Sequence, residues 1–429
     1  MTIQKSASVA AATHESGGLE TQLSSSPMRS AESSSLEHND SKVCLFFSHE
    51  EGPVGYSIYT IDVGAIGGHE NMGNLEKPTQ TLTPLIELSS EDYPKGMSAF
   101  AVGSRIYLIG GDVVPRRRRK YGKNTLALSD IVYVCDTSSR PLSFVPEGRM
   151  NGGKTRPFVI PVNGMFYILS HIRPAMEFNK KNAFFESFDP NTNKWSTLPN
   201  PPFYDFEVAR TGTSVGRSAL VVSYTVVGSM IVFFTLAKSF LYAFHINECK
   251  WECFGISRPQ YNWFPFKGDS VLISDSVWAT AGYPPTSSHL VPELGFIKRG
   301  VEDLENLPFD NPCLAYYTLH HLLDLENGWL CLVKSGRDAF PDSGGKQAVL
   351  ATVFRLVEKC KDEFYLYEVY PWLAHEGPPS LEKCFPDPEK IGGETAVLRA
   401  EEVRCSLFNV AVDVNHFHEL SGLDACFLL

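Results

Sequence analysis

Short apolar runs of strand length, separated by one or two turn residues, recur along most of the chain. The clearest is SAFAVGSRIYLIGGD, in which two apolar runs flank a turn centred on Gly103. Paired apolar runs around such a turn are typical of an antiparallel β-hairpin. Five such pairs, with turns near Gly103, Gly164, Gly228, Asp275 and Asn327, occupy residues 98–112, 157–171, 223–237, 269–283 and 318–334.

A second unit follows the hairpins: an alternating strand, an acidic or Asn-rich turn, and often an aromatic residue. It occupies residues 129–150, 184–202 and 240–254, more weakly 293–308, and again 351–370, while an additional pair of strands lies at 42–49 and 55–63. Four short antiparallel strands cannot bury both faces alone, so such sheets must stack, and radial stacking closes the array into a propeller. The pattern predicts an all-β propeller of six blades, because six strand pairs can be found, with seven as the alternative.

Two stretches resemble the kelch repeat. IYLIGGD at 106–112 is followed by a strand that ends in an acidic turn, and ESFDPNTNKWSTLPNPP at 186–202 resembles the second half of that repeat. The style is that of plant kelch domains, and the resemblance is clearest over 97–202. We expect Gly110 and Gly111 to allow close backbone approach within a blade, and Asp136 and Asp189 to hydrogen-bond to turn amides. Trp195 and Trp251 are the aromatic residues that follow the turn in two repeats.

The two ends of the chain differ from this pattern. Residues 1–41 are rich in serine and contain no aromatic residue, so they bury too little apolar surface to offset the entropy of ordering and are predicted to be a disordered tail. Near the other end, residues 403–414 have a strong strand pattern. We expect the strand at about 403–414 to pair with 42–49 and close the ring, so that 42–429 is one propeller domain.

The most apolar segment, 218–237, has 20 residues without a charge, a length that also suits a membrane-spanning helix. Its β-branched and aromatic residues, and the Gly228-Ser229 pair near its middle, favour a hairpin instead. The sequence therefore predicts no membrane association.

Composition supports a turn-rich protein outside the secretory pathway. The chain has 33 Gly and 28 Pro with only 20% charged residues, and its net charge of −11 disfavours nucleic-acid binding through phosphates. The 10 cysteines are scattered singly, which is typical of buried reduced thiols. No secretory signal is visible at the start, so we expect a cytoplasmic or nuclear location.

The strongest charge feature is the run Arg116, Arg117, Arg118, Arg119 and Lys120, placed on a loop between two predicted strands. A solvated loop, a nuclear-import signal and a patch that binds an acidic partner are all open interpretations.

Aromatic loops are further candidates for partner binding. Tyr261, Trp263 and Phe264 lie between two repeat units, and Phe203, Tyr204 and Phe206 occupy a similar junction. Clustered loop aromatics can be partner-binding hot spots, or they can fill gaps between blades.

Some kelch propellers are enzymes, so the resemblance implies two motifs to look for. Copper radical oxidases of this architecture use an adjacent Tyr-His pair, and the kelch proteins of glucosinolate breakdown carry a Glu-xxx-Asp-xxx-His iron motif; neither occurs in this sequence. His245, Cys249 and Cys253 are spaced four apart but lie in a strand–turn–strand pattern, and a structural zinc needs four ligands. We expect no metal and no cofactor.

These observations predict a noncatalytic kelch-like propeller that presents loops to a protein partner, as an adaptor is expected to do. An enzyme or small-molecule binder that uses the central channel is the alternative. Many plant kelch proteins also carry an F-box that recruits them to ubiquitin ligases, whereas residues 1–41 contain no Leu-rich helical module.

Overall fold

The structure is a computed structural model that describes only part of the chain. The described residues are 41–49, 52–66, 80–113, 127–171, 183–204, 221–235, 240–255, 270–274, 277–282, 293–297, 314–325, 329–338, 347–360, 396–410 and 422–429. They all belong to one compact unit, Asn39–Leu429. The predicted disordered tail lies outside them and stays a prediction.

The described residues form 25 strands, together with short 3-10 turns at Val63–Ala65 and Pro202–Tyr204. The strands of the first half are β1 (Lys42–Ser48), β2 (Val54–Asp62), β3 (Gln80–Leu82), β4 (Ile86–Ser89), β5 (Lys95–Val102), β6 (Arg105–Val113), β7 (Ala127–Leu128), β8 (Ile131–Asp136), β9 (Val145–Arg149), β10 (Phe158–Val162), β11 (Met165–Leu169), β12 (Phe185–Asp189) and β13 (Lys194–Thr197). Those of the second half are β14 (Val221–Val227), β15 (Met230–Thr235), β16 (Phe240–His245), β17 (Lys250–Gly255), β18 (Ser270–Ser274), β19 (Val277–Gly282), β20 (Glu293–Ile297), β21 (Leu314–Asp324), β22 (Trp329–Asp338), β23 (Gln347–Cys360), β24 (Ala396–Val410) and β25 (Gly422–Leu428).

In the described part of the chain these strands make six sheets. Sheet 1 has the order β25-β1-β2-β4, sheet 2 β5-β6-β8-β9 with β7 beside β6, sheet 3 β10-β11-β12-β13, sheet 4 β14-β15-β16-β17, sheet 5 β18-β19-β20, and sheet 6 β21-β22-β23-β24-β3. All pairs are antiparallel except β24 with β3. The predicted all-β class is therefore confirmed, and several of the sheets are four-stranded and antiparallel.

Each of the six predicted strand pairs forms an antiparallel pair, one in each sheet: β1–β2, β5–β6, β10–β11, β14–β15, β18–β19 and β21–β22. The apolar segment 218–237 contributes β14 and β15, joined at Gly228-Ser229 with Gly228 at φ 57°. Glycine adopts this left-handed conformation without a steric cost. Among the residues that the structure describes, no helix is long and apolar enough to cross a membrane.

The hydrophobic core lies between neighbouring sheets, because the alternating strands place apolar side chains on both faces. Phe46 and Ile58 of sheet 1 pack in one cluster with Met97 and Leu108 of sheet 2. The other face of sheet 2 packs on sheet 3 through a cluster of Phe100, Tyr107, Ile109, Ile168 and Phe188. Sheets 3 and 4 share a third cluster, which includes Ile160, Phe185, Phe233 and Phe244.

The first strands of the sheets also neighbour one another. β25 lies beside β5 and β21, β10 lies beside β5, and β18 lies beside β14 and β21. The first strands therefore run along one side of the stacked sheets.

The strand that pairs with the N-terminal strand differs from the predicted one. β1 pairs with β25, in a register that matches Val43 with Leu428, whereas the predicted closing segment, 403–414, falls largely in β24, which pairs with β23 and β3. The prediction of 403–414 as the partner of β1 is wrong. β24 pairs with β23, the strand that precedes it in the sequence. Sheet 1 is therefore completed by β25.

We expect Leu423→Ala, in β25, to lower the free energy of unfolding by about 2–5 kcal/mol, because Leu423 is fully buried. Asp424→Ala is the matched control in the same strand, since Asp424 is exposed, and its effect should stay within about 0.5 kcal/mol. Urea denaturation followed by circular dichroism measures both. Equal effects of the two substitutions would contradict the role of β25 in holding sheet 1.

Candidate functional site at the junction of sheets 2 and 3

Residues 150–157 carry the chain from β9, the last strand of sheet 2, to β10, the first strand of sheet 3. We call this segment the 150–157 crossover. It passes directly over the end of β6, where Gly111 N donates to Lys154 O at 2.7 Å. The crossover therefore lies at the edge of the stacked sheets where β6 ends, and we call this surface the crossover face.

The glycine pair at the end of β6 makes this approach possible. Gly110 and Gly111 have φ of 74° and 93°, and a Cβ on Gly110 would lie 2.8 Å from Lys154 O and 2.9 Å from Pro157 Cδ. A Cβ on Gly111 would lie 2.9 Å from Lys95 O. Any side chain here would collide with backbone, so both positions require glycine.

A buried ion pair fixes the crossover. Lys154 and Glu186, which lies on β12, are both fully buried, and Lys154 Nζ donates to Glu186 Oε1. Lys154 Nζ also donates to Gly152 O at 2.9 Å and Ala183 O at 3.1 Å. Burial lowers the pKa of Lys154, while the Glu186 carboxylate opposes that shift. All of the donors of the ammonium group are thus occupied by acceptors.

The Glu186 carboxylate serves the crossover backbone as well. It accepts hydrogen bonds from Asn151 N at 2.8 Å, Asn151 Nδ2 at 2.7 Å and Gly152 N at 3.0 Å. A buried charge is tolerated when it is paired and hydrogen-bonded in this way. One carboxylate therefore anchors both the start and the middle of the crossover.

Beyond Lys154, the crossover is held by polar bonds to its neighbours. Thr155 Oγ1 donates to Asp112 Oδ1 at 2.8 Å, and Thr155 N donates to Ser170 Oγ at 3.1 Å. His171 N donates to Thr155 O at 3.0 Å, and the His171 ring stacks on Phe158 with centroids 4.7 Å apart. Burial lowers the pKa of His171 to about 4, with a smaller contribution from the positive charge of Arg156. The imidazole is therefore neutral at pH 7.

Arg156 is the exposed charged residue of the crossover, whereas Lys154 is buried. Its backbone has φ 41°, and its N–H donates to Gly96 O at 3.0 Å. The side chain lies over Gly96, where a built Cβ would be 3.0 Å from Arg156 Cγ. The crossover thus presents one arginine next to the first strand of sheet 2.

The predicted turn aspartates accept hydrogen bonds from their own turns. Asp136 Oδ1 accepts from Ser138 N at 2.9 Å, and Asp189 Oδ1 accepts from Asn191 N at 3.0 Å. The hydrogen bonds from these turns lower the pKa of both carboxyl groups. Asp136 Oδ1 also accepts from Ser104 Oγ at 3.1 Å, so both carboxylates are engaged in holding turns.

The two predicted tryptophans pack within and between sheets. Trp195 stacks on Phe188 with centroids 4.7 Å apart. Trp251, on β17 of sheet 4, packs against Phe185 of sheet 3, and its Nε1 donates to Pro199 O at 2.7 Å. Trp251 therefore links sheet 4 to the end of sheet 3.

The junction aromatics after β13 fill the space between sheets 3 and 4. Phe203 is 4% exposed and Tyr204 is 0% exposed, and both belong to the core cluster that these sheets share. For these two residues, packing is the correct interpretation of the two that the sequence left open. Phe206 lies outside the described residues.

The predicted partner-binding residues are also outside the described part of the structure: Tyr261, Trp263, Phe264, Arg116, Arg117, Arg118 and Arg119. The base of the arginine segment is described, however. β6 extends past its sheet and pairs with β7, matching Asp112 with Leu128 and Val113 with Ala127. The described residues that flank 114–126 are therefore paired with each other, and Gly111 and Asp112 at the end of β6 contact the 150–157 crossover.

Within the described ranges, no group of three or more His, Cys, Asp or Glu side chains is arranged to hold a metal ion. His245 ends β16 and Cys253 lies on β17, with Cys249 in the turn between them, which is the strand–turn–strand arrangement that the sequence predicted. His245 Nε2 lies 2.9 Å from Glu252 Oε2. Cys249 and Cys253 are exposed, so the expectation of buried thiols is wrong for these two.

Sequence reasoning missed Lys154, Glu186 and Arg156. The two partners of the buried pair are 32 residues apart, and each is an ordinary charged residue in its local pattern. A usable signal was the string GGKTRP at 152–157, where two glycines and a proline surround charged residues in a connection between strands.

Comparison with known proteins gives a family and a set of distant relatives. A family model described as "Protein of unknown function (DUF1668)" matches residues 42–277, from β1 to the start of β19. An F-box/kelch-repeat protein of Arabidopsis thaliana is 28% identical over 165 residues, which are 38% of this chain and 34% of the relative. A second F-box/kelch-repeat protein of the same plant is 29% identical over 122 residues, 28% of this chain and 31% of the relative.

The chain thus covers about a third of the length of these curated relatives. Among solved structures, that of YjhT matches with a TM-score of 0.39 and 13% identity, covering 70% of this chain and 88% of that one. The distant relationship to plant kelch-repeat proteins, which the resemblance implied, is confirmed.

We expect Lys154→Met to lower the free energy of unfolding by about 3–5 kcal/mol, because it leaves the Glu186 carboxylate buried without its cation. Lys194→Met is the matched control, since Lys194 is an exposed strand residue of sheet 3, and it should change stability by less than about 0.5 kcal/mol. Urea denaturation at pH 7 measures the difference. Similar stability of the two variants would show that the buried pair does not hold the crossover.

We expect His171 to make the protein sensitive to acid. Because the pKa of His171 is about 4 in the folded protein and 6.5 as its ordinary value, the unfolded chain binds a proton more readily in that range. Its contribution to stability is present above pH 6.5 and is lost as the pH falls toward 4, with a slope of up to about 1.4 kcal/mol per pH unit. His171→Phe keeps the ring stack and removes the titration.

The free energy of unfolding, measured between pH 4 and pH 7, should therefore fall less steeply for His171→Phe than for the wild type. Parallel curves for the two proteins would contradict this role of His171.

Proposed function

This chain belongs to the DUF1668 family, and from that premise we propose that residues 42–429 form a kelch-like β-propeller that presents its loops to a protein partner. The protein acts by binding, as an adaptor does, in the cytoplasm or nucleus. Its distant relationship to plant F-box/kelch-repeat proteins supports the kelch part of the proposal.

The arrangement of first strands supports a closed ring of six blades. Going around the sheets, β25, β5 and β10 neighbour one another in turn, and so do β14, β18, β21 and again β25. The shared core of sheets 3 and 4 supplies the remaining link, between β10 and β14. In the proposed ring, each sheet is a blade, and the pairing of β25 with β1 joins the two ends of the chain.

The observation that carries the binding role is the pairing of β6 with β7, which brings together the described residues on either side of the arginine run. Val113 and Ala127 are paired with each other and flank the run Arg116–Arg119 in sequence. Asp112, next to Val113, accepts a hydrogen bond from Thr155, the chain neighbour of the exposed Arg156. On a chain with a net charge of −11, a concentrated basic segment attracts an acidic partner and orients it. The aromatic loop of Tyr261, Trp263 and Phe264 supplies the apolar part of the proposed interface.

At the described positions that the kelch resemblance marks, most groups are engaged in packing or in hydrogen bonds within the sheets and turns. Gly110 and Gly111 are needed for backbone approach, and Asp136 is bonded to its own turn. Binding through loops is therefore the function that a fold of this kind serves best. The names of the relatives also mention an F-box; for this chain we propose partner recognition.

Quantitative affinity capture from native tissue tests the binding role. We compare the wild type with Trp263→Ala and with a variant in which Arg116–Arg119 are glutamine, and use Arg149→Gln as the control because Arg149 is an exposed arginine on the outer strand β9. We expect a specific protein to be retained by the wild type and the control, and to fall at least about fivefold in one of the loop variants at an unchanged melting temperature.

If both loop variants retain the same proteins at the same yield as the wild type, the proposed binding role of these loops is wrong. If Trp263→Ala lowers the melting temperature, Trp263 packs between blades instead of contacting a partner.

A further inference from the structure

Arg156 has a backbone conformation that its position does not explain. Four non-glycine residues in the described part of the chain have positive φ: Arg156, Asn163, Asn193 and Cys249. The other three lie in the turns of β-hairpins, where left-handed residues are needed. Arg156 lies in the crossover and precedes Pro157, and a residue before proline is normally restricted to extended conformations.

The surrounding crossover forces this conformation. Pro157 packs against Gly110, Arg156 N donates to Gly96 O, and Lys154 is anchored by its buried ion pair. Glycine would adopt φ 41° without steric cost, so the fold alone would favour glycine at position 156. The presence of arginine therefore has to be explained by its side chain.

The guanidinium group differs from the other described arginines with known contacts. Arg105 pairs with Glu147, Arg149 with Asp130, and Arg140 donates to backbone carbonyls of its own turn. Where the structure describes its surroundings, Arg156 forms no ion pair and its side chain donates no hydrogen bond. Its charge nevertheless reaches His171, where it adds to the lowering of the pKa by burial, and Tyr56, where it opposes a pKa that burial raises.

The first strand of sheet 2, β5, leaves space for the Arg156 side chain. Gly96 has φ 72° and carries no side chain, so the Arg156 chain lies directly on the backbone of β5. This places the charge near Tyr56 of sheet 1, β5 of sheet 2 and His171 of sheet 3. A charged group at the meeting point of three sheets is accessible to a ligand that approaches this face.

We propose that Arg156 binds a carboxylate of the protein partner, so that the crossover face selects a partner with an acidic side chain. This inference rests on the binding role proposed above and adds the chemistry of one contact. A planar guanidinium matches a carboxylate with two parallel hydrogen bonds.

The surroundings favour a singly charged group over a phosphate. His171 is neutral at pH 7 and adds no positive charge. Asp112 is bonded to Thr155, beside Arg156, and the exposed Asp424 acts on the nearby Tyr56. Negative charges on the same face of the protein repel a doubly charged phosphate more strongly than a singly charged carboxylate.

The test uses the full chain and defined peptides, followed by fluorescence anisotropy. The probes are labelled 12-residue peptides of alternating serine and one other residue: glutamate, glutamine or phosphoserine. Arg156→Gln removes the charge, and Arg156→Gly removes both the charge and the backbone strain. Arg149→Gln, on the outer strand β9, is the control with the same change of net charge.

We expect the wild type to bind the glutamate peptide more tightly than the glutamine peptide. Both Arg156 variants should lose about tenfold in affinity for the glutamate peptide, as expected for one charge-assisted contact, while Arg149→Gln changes it by less than about twofold. The melting temperature of Arg156→Gly should equal that of the wild type or exceed it by about 1–2 °C, because the strain is removed.

Three results would overturn the inference: equal affinity of the wild type for the glutamate and glutamine peptides, an equal loss in Arg149→Gln, or a lower melting temperature of Arg156→Gly, which would assign Arg156 a structural role. Tighter binding of the phosphoserine peptide would overturn the carboxylate assignment. If capture of a partner still depends on the loops of Arg116–Arg119 and Trp263 while the peptide test fails, only this inference is lost and the proposed function stands.

Discussion

A chain that leaves the last strand of one sheet and enters the first strand of the next must bury backbone groups that have no strand partner. Each buried N–H or C=O needs a hydrogen bond. At the junction of sheets 2 and 3, one carboxylate meets this need, because Glu186 accepts from two backbone N–H groups and from the Lys154 ammonium. The positions of Gly110, Thr155 and Arg156 all follow from the path that this pair imposes on the crossover.

Other side-chain hydrogen bonds serve the same purpose at this junction and at others. Tyr56 of sheet 1 donates to Pro94 O at 2.6 Å, just before β5, and Ser98 of sheet 2 donates to Pro157 O at 2.5 Å, just before β10. Trp251 bonds to Pro199 O, and His321 of sheet 6 lies 3.2 Å from Leu423 O of sheet 1. Three of these acceptors belong to prolines, which keep connections extended and have no N–H of their own to satisfy. Side chains of one sheet thus form hydrogen bonds with the connecting segments next to a neighbouring sheet.

The sequence predicted what depends on near neighbours. The hairpins were found because apolar alternation and a turn such as Gly228-Ser229 lie within one short window. The strand that pairs with β1 was predicted wrongly, because 403–414 and 422–428 both have strand patterns. The choice between them depends on a long-range contact, since β24 already pairs with β23. The Lys154–Glu186 pair was missed for the same reason: its two residues meet only after sheets 2 and 3 have stacked.

Residues that the kelch resemblance marks, such as Gly110 and Trp251, are used in packing the sheets together. The residue type at these positions therefore gives little information about a partner. Arg156 is the opposite case, because the framework fixes its backbone but would be served better by glycine. When a fold tolerates an unfavourable backbone for the sake of an exposed, charged side chain, the side chain has to act on something outside the fold. The positive φ of Arg156 thus distinguishes it from the framework residues around the crossover.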